Sequence, residues 1–93
     1  MKVNFTKEFF NLLNEQVAYI AKDKPQASRK FKNNILKKLK KDLKFPFNYK
    51  KSIYFDNVLI RDYVFKGYTI VYFVNESKDT VEVFEFIKYI ESL

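Results

Sequence analysis

At Phe45-Pro46-Phe47 the chain changes its periodicity, and this switch limits the folds open to it more than any other feature. Before it, apolar residues recur at helical spacing; after it, β-branched and aromatic residues gather in short runs bounded by turn residues. Lys2-Val3-Asn4-Phe5 reads as a short strand, and Thr6 is placed to cap a helix by accepting from a free N–H of its first turn. In that helix Phe9, Phe10, Leu13, Val17, Ile20 and Ala21 share about 120° of arc. Asp23-Lys24-Pro25 breaks the pattern, since proline disfavours a helical residue before it yet suits the first turn of a new helix. A second helix is expected from Pro25 to about Lys44, with Ala27, Phe31, Ile35, Leu36, Leu39 and Leu43 over roughly half the wheel and lysines opposite.

Beyond the switch, Ser52–Phe55, Leu59–Phe65, Tyr68–Val74 and Thr80–Ile87 read as strands joined by hairpins. The order strand, two helices, sequential strands predicts an α+β domain over residues 1–93. Its N-terminal strand and two-helix hairpin would accompany a mainly antiparallel sheet of about four to five strands, with the helices on one face and the other face free. A three-residue loop Phe65-Lys66-Gly67 would put Arg61 and Tyr63 on a face with Thr69, Val71 and Phe73. A two-residue Lys66-Gly67 turn would group them with Tyr68, Ile70 and Tyr72 instead. Lysine is poor at the first position of the tighter turn, which favours the longer loop.

Composition removes several chemistries. With no Cys and no His there is no disulfide, thiolate zinc site, imidazole base or His-ligated metal, so no metal or other cofactor is expected. What remains is Lys, Arg, Tyr, Asp and Glu. No apolar segment approaches the roughly 20 residues that span a bilayer, and residues 1–10 lack the apolar stretch of a secretory signal, so a cytoplasmic protein with no membrane partner is expected. Residues 22–51 carry 12 Lys/Arg and 2 Asp, whereas the remainder is net negative by 3. A concentrated positive block suits a polyanion or an acidic protein, and individually its lysines also suit a solvated helix face.

Tyr19-Ile20-Ala21 with Asp23-x-Pro25-x-Ala27, then Phe31, Ile35, Leu39 and Phe45-Pro46, resembles the helical hairpin of the RelE/ParE superfamily of bacterial toxins. Ile60-Arg61-Asp62, Gly67-Tyr68-Thr69-Ile70-Val71-Tyr72 and Val81-Glu82-Val83-Phe84 resemble its strand motifs. The resemblance implies the toxin of a type II toxin–antitoxin pair, silenced by a cognate antitoxin whose flexible acidic segment would meet the lysines. It implies first inhibition of translation by ribosome-dependent mRNA cleavage at an endoribonuclease (mRNA interferase) site, with the poisoning of DNA gyrase as the alternative. A decayed toxin that only binds its antitoxin is a third outcome.

RNA cleavage needs cations around a phosphate that gains negative charge and groups that move protons. Arg61 matches the family's arginine in the strand before the Gly-Tyr motif, and its fork can hold a phosphate bidentately. Lys66 at the hairpin tip, Lys88 where several relatives carry His, and Tyr89 complete the candidate catalytic set. Lys37, Lys40, Lys41, Lys50, Lys51 and Tyr68 are the candidate nucleic-acid contacts, lysines for phosphates and Tyr68 for base stacking. The plain alternatives are that Arg61 pairs with Asp62 or Glu85 and that Tyr68, as strand tyrosines more often are, is a core or half-buried aromatic. Thr69 stands where RNA-cleaving relatives usually carry a phosphate-binding arginine, and Ile90-Glu91-Ser92-Leu93 replaces a C-terminal arginine cluster.

Overall fold

The computed structural model describes residues 1–88. In chain order the elements are β1 (Lys2–Phe5), α1 (Lys7–Ala21), α2 (Pro25–Asp42), a single 3-10 turn (Pro46–Asn48), β2 (Ile60–Phe65), β3 (Tyr68–Asn75) and β4 (Thr80–Lys88). The four strands form one sheet in the order β1-β4-β3-β2, with β1 parallel to β4 and the other pairs antiparallel. The α+β architecture, the first strand and the helical hairpin match the sequence expectation.

Local chemistry sets the helix ends. Thr6 Oγ1 accepts from the Phe9 N–H at 3.1 Å, and the Lys24 N–H returns to the Ile20 carbonyl at 2.9 Å. Pro25 then opens α2 where its missing N–H leaves nothing unsatisfied. Helix α2 stops at Asp42, two residues before the expected Lys44, because Pro46 forces the preceding chain out of helical geometry. Ala27 is exposed, contrary to the wheel; Ser28 is buried in its stead, its hydroxyl donating to the Pro25 carbonyl at 2.6 Å.

Phe9 and Leu13 of α1 and Ile35 and Leu39 of α2 are fully buried against Tyr63, Phe65, Ile70, Tyr72, Val81, Val83 and Phe86 of the sheet. Each such side chain contributes about 1.5–3 kcal/mol through lost water contact.

The turn between β2 and β3 is the two-residue one. Phe65 pairs with Tyr68, Tyr63 with Ile70 and Arg61 with Tyr72. Lys66 and Gly67 both have positive φ, 49° and 84°, the signature of a type I′ turn. The expected three-residue loop is overturned by packing. Strain at Lys66 is about 1–2 kcal/mol, less than the loss from turning Tyr63, Phe65 and Tyr72 off the core face. Arg61 therefore shares the helix-facing side of the sheet, not the face of Thr69, Val71 and Phe73.

Ser52–Phe55 is not a strand. Lys51 alone bridges Arg61 in antiparallel fashion, and side chains then fold the segment onto itself: Ser52 Oγ accepts from Tyr54 N–H and Asn57 Oδ1 from Leu59 N–H. Phe55 packs edge-on against Phe84 of β4 with centroids 5.4 Å apart, so this segment crosses the face expected to be free, where Val71 is fully buried.

Candidate functional site

Arg61 is held by the fold. Its Nε donates to the Val58 carbonyl at 3.0 Å and its Nη1 to the Tyr49 carbonyl at 2.9 Å, while the guanidinium carbon lies 5.1 Å from the Phe47 ring centroid. It thus ties the 46–49 turn and the end of the 52–59 segment to β2, pairing with neither Asp62 nor Glu85. Asp62 faces the other side of the sheet; its Oδ2 accepts from Ile53 N–H at 3.1 Å and its buried Oδ1 has no hydrogen-bond partner among the described residues.

A group of phenols surrounds this region. Tyr63 donates to Asp42 of α2 at 2.5 Å and Tyr72 to the Pro46 carbonyl at 2.6 Å, with the Tyr49 ring 5.0 Å edge-on from Tyr63. Burial pushes the Tyr63 phenol up, reinforced by its bond to Asp42; burial does the same for Tyr72, against the opposing pull of Arg61, and for Tyr49 beside Asp42. These phenols hold their protons at neutral pH and cannot serve as bases there.

The other candidates stand elsewhere. Lys66 lies in a cleft of about 330 Å³ between the hairpin tip and α2, lined also by Asn34, Lys37, Lys38, Lys41 and Phe65. Lys88 pairs in register with Tyr68, and its Nζ sits 5.0 Å from the Tyr19 ring centroid in a separate cleft against α1. Lys66 and Lys88 therefore share one end of the sheet, whereas Arg61, opposite Tyr72, is four strand residues from Tyr68, roughly 13 Å along β3. Tyr68 is half-buried, stacked on Phe86 at 5.0 Å, and its hydroxyl accepts from Gln16 at 2.9 Å, which makes it a packing aromatic in this arrangement. Lys50 and Lys51 line a third cleft of about 550 Å³ with Ile53, Asp62, Val64 and Thr69. Lys40 is exposed on α2, and Tyr89 lies outside the described residues.

Two features escaped the sequence reading. Lys38 joins Lys37, Lys41 and Lys66 in the α2 cleft, a position readable only once the hairpin tip is known to reach that flank of the helix. Phe45, Phe47, Ile53, Tyr54, Val58 and Val64 are exposed, Ile53 at 83% and Val64 at 70%. The signal for these was the cluster of apolar residues around Asp56-Asn57, which β propensity assigned to a strand. Among the described residues no group of three His, Cys, Asp or Glu side chains could hold a metal ion, and no helix is long and apolar enough to cross a membrane.

Against known proteins, a family model described as the ParE toxin of type II toxin-antitoxin system, parDE, matches residues 3–88. No curated protein matches the chain.

Proposed function

This chain belongs to the ParE toxin family of type II toxin–antitoxin systems, and we propose that it acts by gripping its target, DNA gyrase, rather than by cutting RNA. One observation carries the reading: the Arg61 guanidinium is anchored in place by two main-chain carbonyls and the Phe47 ring, away from the other candidate catalytic cations. A ribonuclease of this chemistry needs cations converging on one phosphate, and Arg61 stands roughly 13 Å along the strand from the end that carries Lys66 and Lys88. The raised Tyr63 and Tyr72 phenols supply no base in compensation.

An antitoxin partner follows from the family. We assign its docking place to the 45–64 segment, because six of the seven large exposed apolar side chains of the described residues lie there. Ile53 and Val64 line one cleft with Lys50 and Lys51, so an acidic segment with apolar side chains fits both its surface and its charge. Among the described residues the edge of β2 is bonded at its start, by Ser52 N–H to the Ile60 carbonyl and Asp62 N–H to the Lys50 carbonyl; Val64 lies beyond.

A second reading, ribosome-dependent mRNA cleavage by Lys66, Lys88 and Tyr89, draws support from the shared sheet end of Lys66 and Lys88. It requires Arg61 to take no part, or to reach the phosphate with the N–H groups that the Val58 and Tyr49 carbonyls leave free. Expression without antitoxin separates the two. Gyrase-dependent DNA breaks with intact transcripts are expected. New codon-linked mRNA ends with normal supercoiling would overturn the gyrase reading, and harmless expression would point to a decayed toxin.

A further inference from the structure

We infer that the outer face of α2, together with the hairpin tip, is a binding surface for the phosphates of duplex DNA. Arg29, Lys30, Lys37, Lys38, Lys40 and Lys41 are all exposed and lie on one half of the helix, spread over about 18 Å of its length. Lys66 adds a seventh cation from across the cleft. The sole acidic residue of α2, Asp42, is turned away and accepts from Tyr63. The ion pair present among the described residues, Lys51 with Asp56, lies elsewhere. Among the described residues none of these cations is in an ion pair, so they repel one another, and a polyanion relieves that repulsion.

Three features select the polyanion. The outer arc carries no exposed apolar side chain larger than Ala27, so an amphipathic acidic peptide would bury almost nothing there; the apolar surface is at residues 45–64. It carries no exposed aromatic either. Phe31 is packed against Phe65 and Tyr68, and Phe65 is buried, which leaves no platform for the base stacking that single strands use. Finally, a helix about 10–12 Å across with cations on both flanks matches the roughly 12 Å major groove of B-form DNA and its bordering phosphates. The major groove of an RNA duplex is too narrow for it. Asn33 and Asn34, exposed between the two clusters of cations, add donors without adding charge. This surface goes beyond the gyrase reading and does not need it.

The test is fluorescence anisotropy of the purified toxin with a labelled 24-base-pair DNA duplex, an RNA duplex and a single strand of equal length, across a salt series. Duplex DNA is expected to bind most tightly, with log affinity falling steeply against log salt. The triple variant Lys37→Gln, Lys38→Gln, Lys41→Gln should flatten that slope by about 2.7, near 0.9 per phosphate contact removed. Lys50→Gln with Lys51→Gln should leave it unchanged. All five positions are exposed, and unchanged circular dichroism melts confirm that the variants fold. Tighter binding to the RNA duplex or the single strand, or an unaltered slope in the triple variant, overturns the proposal. So does a triple variant that keeps its DNA slope but loses antitoxin, since the surface would then serve a protein. Normal supercoiling by gyrase in the presence of a DNA-binding toxin would defeat the gyrase reading alone.

Discussion

The outer face of α2 and the segment from Phe45 to Val64 both carry exposed lysines, yet they offer opposite surfaces. The helix presents lysines with every large apolar side chain turned inward, whereas the segment leaves aromatic and aliphatic groups uncovered around Lys50 and Lys51. The cause is local. A regular 3.6-residue repeat lets α2 sort all its apolar residues to one side. The segment has no such period, and folded upon itself by Ser52 and Asn57 it cannot bury what it carries. Charge without apolar surface suits phosphates; apolar surface with a little charge suits a protein.

The largest expected effect breaks this division at its protein side. Ile53→Asp combined with Val64→Asp should weaken antitoxin binding by about 10- to 100-fold per site, the worth of burying each aliphatic group. Calorimetric titration with antitoxin measures this, and duplex DNA affinity in the same variant should fall by far less. If antitoxin affinity holds, the partner docks elsewhere.

Next in size is Arg61→Lys. A lysine lacks the planar fork that sets one donor nitrogen at the Val58 carbonyl and another at the Tyr49 carbonyl, so urea unfolding should show a loss of about 1–3 kcal/mol. Gyrase inhibition per folded molecule should be unchanged. A loss of toxicity with no loss of stability would return Arg61 to a catalytic role and restore the ribonuclease reading.

The fold was legible where periodicity was strong. Thr6, the two amphipathic arcs and Pro25 locate the helices, and the matched apolar arcs predict which sheet face they cover. The hairpin register was not legible, because a local preference against Lys66 at positive φ opposed a tertiary gain from Tyr63, Phe65 and Tyr72 that no local rule contains. The same error carried into the site. A three-residue loop sets Arg61 on the outer face, free to meet a phosphate, whereas one step of register turns it toward the 46–49 turn. Ile53-Tyr54-Phe55 has strand composition, but neighbouring Ser52 and Asn57 close their own turns first.

Tyr63 joins the two regions, since its hydroxyl on β2 donates to Asp42 at the end of α2. Burial and that bond raise its pKa above the ordinary 10.0, so the folded protein keeps the proton longer than the unfolded chain does. Stability from this group is fully present below pH 10 and is lost as pH rises further through the folded value. Tyr63→Phe should lower stability by about 0.5–1.5 kcal/mol at pH 7, the net worth of one hydrogen bond. It should also make the alkaline decline shallower, with Tyr72 and Tyr49 supplying what remains. Chemical unfolding at a series of pH values checks both, and an alkaline limb as steep as the parent's would place the titrating group elsewhere.

The smallest effect gives the sharpest contrast, because it moves two readouts in opposite directions. Lys66 adopts φ 49° ahead of Gly67 at 84°, and asparagine tolerates that conformation better than lysine does, Asn-Gly being the favoured pair in such turns. Lys66→Asn should therefore raise stability by a few tenths of a kcal/mol, up to about 1. The same change removes one cation from the α2 cleft and should flatten the salt dependence of duplex binding by about 0.9. Antitoxin affinity, set at Ile53 and Val64, should not move. A lysine kept at a strained position only for the turn would predict the first change without the second. A stabilised protein that also binds duplex DNA less steeply with salt means that Lys66 stands there for its charge, and that α2 and the hairpin tip act as one surface.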